Sequence, residues 1–342
     1  MPETTPERPW IETPLLESAS FSKICGCRVF LKLENLQPSK SFKSRGIGNF
    51  IVESIKKSSK SSDKKGEPHF YISSGGNAGL ACVTASNTLG YKSTVVVPFS
   101  TKQYMIEKLK IQGADVIQHG ETWFHADKYL REELLNKDSN GVYVPPFDHP
   151  DVWTGASTMV KEWESQLSII DGGLNHHNEK TQADVVICSV GGGGLFTGLM
   201  QGLEETPNSK TKMIAVETKG ADSLYQSIQA GKLVTLPGIT SIATSLGAIK
   251  VCEKAFEYAN KSEKVKSVVV EDKQAVKALL RFASEEGMIV EPACGATLAI
   301  AYENQLKDLI PNLNKDSKVV LVVCGGSAFN LGLLEEWKTT YA

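Results

Sequence analysis

No stretch of this 342-residue chain stays apolar for the roughly 20 residues that a membrane-spanning helix requires. The N-terminus, from Met1 to Glu7, is acidic and contains prolines, unlike a signal peptide or an arginine-rich transit peptide. Charge of one sign is missing as well. The net charge is −2, so no global field draws in nucleic acid or an anionic membrane. Cysteine is sparse, with seven residues and no dense disulfide spacing. Cys25 and Cys27 form a single pair with no second pair to complete a zinc site. His176 and His177 sit in a polar stretch that reads as a loop rather than a metal site. There is no fixed-period repeat, and no low-complexity tract beyond Ser58 to Lys65. These absences point to a reduced, cytoplasmic protein that binds neither nucleic acid nor membrane.

What is present is ordinary for a soluble globular protein, with 41% hydrophobic and 22% charged residues. The length allows a sizeable core and is usually divided into two domains. Short apolar strands repeatedly give way to glycine-rich turns and then to helical patterns, the style of a parallel α/β sheet. Three such junctions stand out: HFYISSGGNAGLACVTASNTLG, ADVVICSVGGGGLFTGLMQGLEE and KVVLVVCGGSAFNLGLLEEW. In the first, Gly90 reads as a helix C-cap. Between the first two run STVVVPFS, ADVIQHG and GVYVPPF as strands, with TKQYMIEKLKIQG and TWFHADKYLREELLNK as helices. KMIAVETKG follows as a strand, Ser157 to Leu167 as a helix, and KQAVKALLRFASEEG as an amphipathic helix. VEPACGATLAIAYENQL begins another helix after a turn at Pro292. The stretch from about 50 to 144 carries its own strand–helix series and reads as a small α/β domain inserted in a larger one. In open parallel sheets, ligands bind at the carboxyl ends of the strands, and all three glycine turns lie at such ends.

Four consecutive glycines, Gly191 to Gly194, are hard to explain as packing alone. Glycine permits positive φ and close backbone approach, and successive N–H groups at a helix N-terminus cradle a phosphate. The Walker pattern is absent, because no Lys-Ser/Thr follows. A dinucleotide site is the weaker alternative. Glu217 ends the next strand, but the G-x-G-x-x-G spacing is not met. Ser73 to Gly79 offers hydroxyls, backbone donors and the Asn77 amide. These suit either a small carboxylate or a plain N-capped helix start. Cys324 ends a hydrophobic strand, where most cysteines are inert. Lys43 stands in PSKSFKSRG. Alone it reads as a solvated cation, but in a pocket that lowers its pKa it becomes a nucleophile. A Schiff-base lysine needs a partner carbonyl, and pyridoxal phosphate supplies one. That group also needs a phosphate cradle, a contact at its ring hydroxyl and another at its pyridine nitrogen. Gly191 to Gly194, Asn77 and Cys324 can provide these three contacts.

PSKSFKSRG, SSGGNAG, SVGGGGL, EPACGA and VVCGGS occur in the order found in fold-type II pyridoxal-phosphate enzymes, and the whole chain resembles that family. Within it the chain is most similar to eukaryotic L-serine/L-threonine dehydratases, the serine ammonia-lyases that lack a regulatory domain. The resemblance implies two open parallel-sheet α/β domains with the active site in the cleft between them. It implies a large cofactor-binding domain of residues 1–45 and 149–342 and a small inserted domain of residues 46–148. It further implies that Lys43 is joined covalently to the cofactor, Phe42 lies against its ring, and Asn77 bonds the ring hydroxyl. Gly191, Gly192, Gly193, Gly194 and Leu195 would hold the phosphate, and Cys324 would face the pyridine nitrogen. Ser73, Ser74, Gly75 and Asn77 would hold the substrate carboxylate. A monovalent cation such as potassium would sit among Glu217, Ala221, Ser223, Ser245, Leu246 and Ala248. The implied reaction is β-elimination of water from serine, giving pyruvate and ammonia, and from threonine, giving 2-oxobutanoate. A homodimer is also implied. With no room for a regulatory domain after the last motif, feedback by isoleucine is not expected.

Two positions depart from the resemblance. Lys40 stands where the family usually has glycine, and Gly75 where close relatives often carry alanine. The lost methyl at Gly75 is expected to loosen the wall beside the substrate and alter substrate choice or turnover. Three competing readings remain. The first is a relative with the same cofactor, namely a serine racemase, a threonine synthase or a β-replacing cysteine synthase. Cysteine synthases usually read PTGSVKDR around the lysine, against SFKSRG here. The second is a nicotinamide-dependent oxidoreductase, which gives Lys43 no task. The third is a catalytically dead binding protein or scaffold.

Overall fold

The structure, a computed structural model, describes residues 8–59, 66–172 and 181–341. His176, His177 and most of the Ser58 to Lys65 tract lie outside the described residues. Ten strands occur among the described residues: β1 Leu15–Glu17, β2 Arg28–Lys32, β3 His69–Ile72, β4 Ser93–Val97, β5 Asp115–Gln118, β6 Gly141–Tyr143, β7 Val185–Ser189, β8 Lys212–Thr218, β9 Val265–Val270 and β10 Lys318–Val322. They form two sheets. The four-stranded sheet has the order β5-β4-β3-β6 and is parallel throughout. The six-stranded sheet has the order β1-β2-β10-β7-β8-β9, and only its edge strand β1 is antiparallel. Strands β4 and β7 are buried along their whole length. That is why they read as unbroken runs of β-branched residues rather than alternating ones. The chain is therefore α/β with parallel sheets, as expected.

It divides into two compact units, residues 1–11 with 37–156 and residues 12–36 with 157–342. These bounds run differently from the 46–148 insertion that the resemblance implies. Side chains too distant to be read from local pattern explain the difference. The Gln37 amide accepts from the Ile11 N–H at 3.0 Å and donates to the Ile11 carbonyl at 2.8 Å. Gly48 lies so close to Pro9 and Trp10 that a Cβ there would stand 3.0 Å from each. The N-terminal stretch is thereby fastened to the first unit.

Local structure departs from the sequence reading in three places. Ser157 to Leu167 is part of a longer helix, Pro150–Ile170, which opens on a proline. Pro292 does not precede its helix but is the helix's first residue. The helix expected over TWFHADKYLREELLNK stops at Tyr129, continues as a wider turn over Leu130–Leu134 and ends in a tight one over Leu135–Lys137. Among the described residues no helix is long and apolar enough to cross a membrane.

Candidate active site

In the first unit, the turn before Lys43 is pinned by hydroxyls. Ser44 Oγ lies 2.7 Å from Ser39 Oγ and accepts from the Ser39 N–H at 3.1 Å. Lys40 within this turn is exposed and has a φ of 64°, a left-handed conformation that glycine adopts at no steric cost. Lys43 then opens the Lys43–Ser59 helix. Its side chain is half-buried, and Nζ donates to the Pro146 carbonyl at 2.7 Å. The rings of Phe42 and Phe147 lie 5.4 and 6.0 Å from Nζ. Burial lowers the Lys43 pKa to about 8. The positive end of the helix dipole acts in the same direction. A sizeable fraction of neutral amine near physiological pH makes Lys43 competent as nucleophile and base.

The Ser73 to Gly79 turn follows β3 and leads into the Asn77–Thr88 helix, whose N-cap Gly76 supplies no side chain. Gly79 is needed there, because a Cβ would collide with the Ser74 carbonyl. Ser73 Oγ donates to Asp127 Oδ1 at 2.5 Å, and Trp123 Nε1 donates to the Ser73 carbonyl at 2.5 Å. Asp127 also accepts from the Tyr143 hydroxyl and from Arg131 Nε, each at 2.8 Å. The Arg131 guanidinium stacks 3.7 Å above the Tyr143 ring. The Ser73 hydroxyl is engaged by Asp127, which leaves the backbone N–H groups, Ser74 and Asn77 as the turn's remaining polar groups. The space expected to be loose beside Gly75 is taken up by a neighbour. A Cβ at Gly75 would stand 2.8 Å from Thr101 Cγ2 and 3.2 Å from Val97 Cγ1.

In the second unit, Gly191 to Gly194 follow β7 and open the Gly194–Glu205 helix, whose first N–H groups have no side-chain cap. Gly193, the N-cap, has a φ of 91°. A Cβ at Gly191 would stand 2.9 Å from Leu246 Cα. The Gly192 carbonyl accepts from the Cys252 N–H at 3.0 Å, which holds the turn from the other side. Leu195 is buried in the first turn of the helix. Cys324 follows β10 and is buried, with Ser189 Oγ donating to its sulfur at 3.6 Å. A second thiol, Cys294, hydrogen-bonds Cys324, and this contact together with burial holds the Cys324 pKa far above the ordinary thiol range. Burial opposes ionisation of Cys294, but hydrogen bonds from the Cys324 thiol and the Gly325 and Cys324 N–H groups outweigh it and lower its pKa. Of the pair, Cys324 keeps its proton.

The proposed cation residues also fall in this unit. Glu217, at the end of β8, is fully buried and accepts from the Leu224 and Tyr225 N–H groups at 2.8 and 2.7 Å. Burial raises its pKa to about 8. Ala221 and Leu246 meet in one apolar cluster with Ala243 and Ala293. The Ser223 hydroxyl is buried without a hydrogen-bond partner among the described residues. Ser245 Oγ donates to Glu291 Oε2 at 2.5 Å. Ala248 donates its N–H to the Leu246 carbonyl at 2.7 Å. The sequence reading did not single out Trp123, Asp127, Arg131, Tyr143, Cys294 or Glu291 as individual functional residues. Glu291 carried one legible signal, a glutamate before a helix-opening proline, where short polar capping residues are favoured.

The family described as pyridoxal-phosphate-dependent enzymes matches residues 7–325. A catabolic L-serine/threonine dehydratase of Saccharomyces cerevisiae is 41% identical over 95% of this chain and 89% of its own length. A serine dehydratase-like protein of Homo sapiens is 42% identical over 96% of this chain and 94% of its own. The crystal structure of an L-serine ammonia-lyase from the fungus Rhizomucor miehei superposes with a TM-score of 0.87 at 34% identity. That match covers 98% of this chain and 100% of the other.

Proposed function

The chain belongs to the pyridoxal-phosphate-dependent enzymes, and we propose that it deaminates L-serine to pyruvate and ammonia, and L-threonine to 2-oxobutanoate, by eliminating the β-hydroxyl as water. The observation that carries this reading is Lys43, a half-buried amine whose pKa is lowered to about 8 at the start of a helix. The relatives named above act as L-serine/threonine dehydratase and L-serine ammonia-lyase. The residues present fit the cofactor. The Gly194–Glu205 helix opens without a side-chain cap behind a glycine at positive φ, which suits a phosphate, and Cys324 is held protonated at the end of β10.

When bound, pyridoxal phosphate supplies a carbonyl for amines and a conjugated ring that delocalises the charge left at the substrate Cα. Gly191, Gly192, Gly193, Gly194 and Leu195 would hold its phosphate through backbone N–H groups. Asn77 would bond its ring hydroxyl, and Phe42 would lie against the ring. Lys43 would be its covalent attachment point and, as a free amine, would take the Cα proton of the substrate. Ser74, Gly75 and Asn77 orient the substrate carboxylate, with Ser73 held in place by Asp127 and Trp123. Cys324 keeps its proton, so it offers the ring nitrogen a neutral thiol. An aspartate there would hold a full positive charge on the nitrogen. A neutral thiol there would favour prompt loss of the β-hydroxyl, which would leave as water, the proton it gains balancing the one that Lys43 takes from Cα. Released 2-aminoacrylate then hydrolyses to pyruvate and ammonia.

A monovalent cation, with potassium as the first choice, is proposed among Glu217, Ala221, Ser223, Ser245, Leu246 and Ala248. The buried, unpartnered Ser223 hydroxyl supports it. The same reading extends to a cytoplasmic homodimer, on the resemblance alone. The test is the visible absorbance of the purified protein before and after L-serine, with pyruvate assayed in the same cuvette. A yellow band that shifts as pyruvate accumulates is expected. A yellow band without pyruvate would replace this reading with racemisation or β-replacement. A colourless protein that pyridoxal phosphate cannot reconstitute would overturn it.

A further inference from the structure

Cys294 of the EPACGA segment touches Cys324, but Glu291, which opens the segment, has no role in the chemistry above. Glu291 is the N-cap residue of the Pro292–Tyr302 helix, yet its side chain makes no capping hydrogen bond. Serine, threonine, aspartate and asparagine cap far better, so a glutamate here serves another purpose. Its side chain is buried, at 3% exposure, and reaches two loops of the same unit. Oε2 accepts from Ser245 Oγ at 2.5 Å, and Oε1 accepts from the Ala328 N–H at 2.5 Å.

Each loop leads to a part of the cofactor site. Ser245 belongs to the tight turn Thr244–Leu246. Leu246 backs the glycine run so closely that a Cβ at Gly191 would stand 2.9 Å from its Cα. Ala328 lies in the loop that starts at Cys324 and leads to the Leu331–Tyr341 helix. Within that loop Gly325 and Gly326 have φ values of 82° and 110°, so neighbours rather than a strand ladder must fix their place. A side-chain carbon at Gly326 would collide with the Glu291 carboxylate. A buried group with both oxygens hydrogen-bonded is costly to leave unpartnered. One carboxylate therefore fastens the support of the phosphate turn and the loop that carries the thiol.

We propose that Glu291 is a positioning residue that sets the interval between the phosphate-binding glycine turn and the Cys324 thiol; this rests on the cofactor reading given above. The test compares wild type, Glu291→Ala, Glu291→Gln and Ser245→Ala in saturating potassium. Three quantities are read: the Kd for pyridoxal phosphate by absorbance titration, the visible circular dichroism of the bound cofactor, and the Tm of the apoprotein. Losing both buried hydrogen bonds is expected to raise the Kd in Glu291→Ala by about tenfold to a hundredfold and to collapse the dichroic band. Glutamine can keep the Ala328 bond through its carbonyl and donate its amide to Ser245, so Glu291→Gln is expected near wild type. Ser245→Ala is expected to raise the Kd by a smaller factor with little change in apoprotein Tm.

A lowered apoprotein Tm in Glu291→Ala with unchanged Kd and dichroism would overturn the proposal and leave Glu291 a purely structural residue. If Glu291→Ala does not fold, a wild-type Kd and dichroism in Ser245→Ala would overturn it instead. A wild-type protein with no visible band would fail at the cofactor reading, before any variant is compared.

Discussion

Two glycine turns of the molecule do similar work and are held in different ways. The Ser73 to Gly79 turn of the first unit is gripped by the Trp123–Tyr129 helix, through Trp123 and Asp127. Trp123 is half exposed, and the Arg131 that pairs with Asp127 is itself half exposed. The Cys324 to Ala328 turn of the second unit is held by Glu291 and Cys294, both buried. An ion pair whose cation reaches water is weak and adjustable, whereas a buried, fully hydrogen-bonded polar group is costly to disturb. The turn assigned to the substrate is thus held by a buried carboxylate whose outer partners, Trp123 and Arg131, reach solvent, and the turn assigned to the cofactor by groups that are all buried. A substrate must enter and leave on every cycle, and a cofactor need not.

The sharpest separation comes from removing the chemistry while leaving both turns intact. Lys43→Ala is expected to reduce deamination of serine by more than about a thousandfold. Phosphate and ring contacts should persist in it, which a titration with pyridoxal phosphate measures. Near-normal turnover in that variant would sink the scheme. The next effect is one of pH. Because burial places the Lys43 pKa at about 8 instead of its usual 10.5, the amine is largely protonated at pH 7 and largely neutral at pH 9. Capture of pyridoxal phosphate by the apoprotein should then speed up about tenfold over that interval. A rate still climbing steeply beyond pH 10 would show an ordinary, solvated lysine.

Asp127→Ala tests the adjustable turn directly. It should raise the KM for serine roughly fivefold through loss of the Ser73 anchor, with the Kd for pyridoxal phosphate unchanged. A matching loss of cofactor affinity would erase the contrast between the turns. The smallest effect is expected at Gly75. The added methyl of Gly75→Ala must displace Thr101, so the ratio of serine to threonine turnover should change by about twofold to threefold. Adding Thr101→Ser, which removes the Cγ2 atom in the way, should bring most of the change back. Unchanged kinetics on both substrates would reject a role for this wall.

Lys43 and the three glycine turns were legible because their signals are local. A lysine among small residues, or glycines between a strand and a helix, can be read within about ten positions. The residues that hold these turns could not be read in this way. Asp127 meets Ser73 across 54 positions, and Glu291 meets Ser245 across 46. Nothing in the local pattern of either stretch announces such a pairing. The same holds for the fold. The buried strands β4, β7 and β8 read plainly, while β1 is only three residues long, β2 carries a charged residue at each end and β9 is mixed in burial, so these three do not stand out. The bounds of the first unit depend on the Gln37 side chain at Ile11, a contact between segments too far apart for periodicity to link. Lys40 shows the reverse case. The unexpected residue type was noticed in the sequence, and its left-handed φ of 64° gives the reason that glycine suits the position.

The position of β2 has a consequence for how the chain is made. Its parallel neighbour in the six-stranded sheet is β10, whose Lys318 pairs with Arg28. At ribosomal rates of about 5–20 residues per second, β2 waits some 15–60 s for that partner. The first unit ends at residue 156, so all of it has been synthesised long before β10. Synthesis thus exposes an apolar strand edge for most of its duration, and chains that end before Lys318 should be captured by chaperones or degraded, while a first unit already closed resists proteolysis.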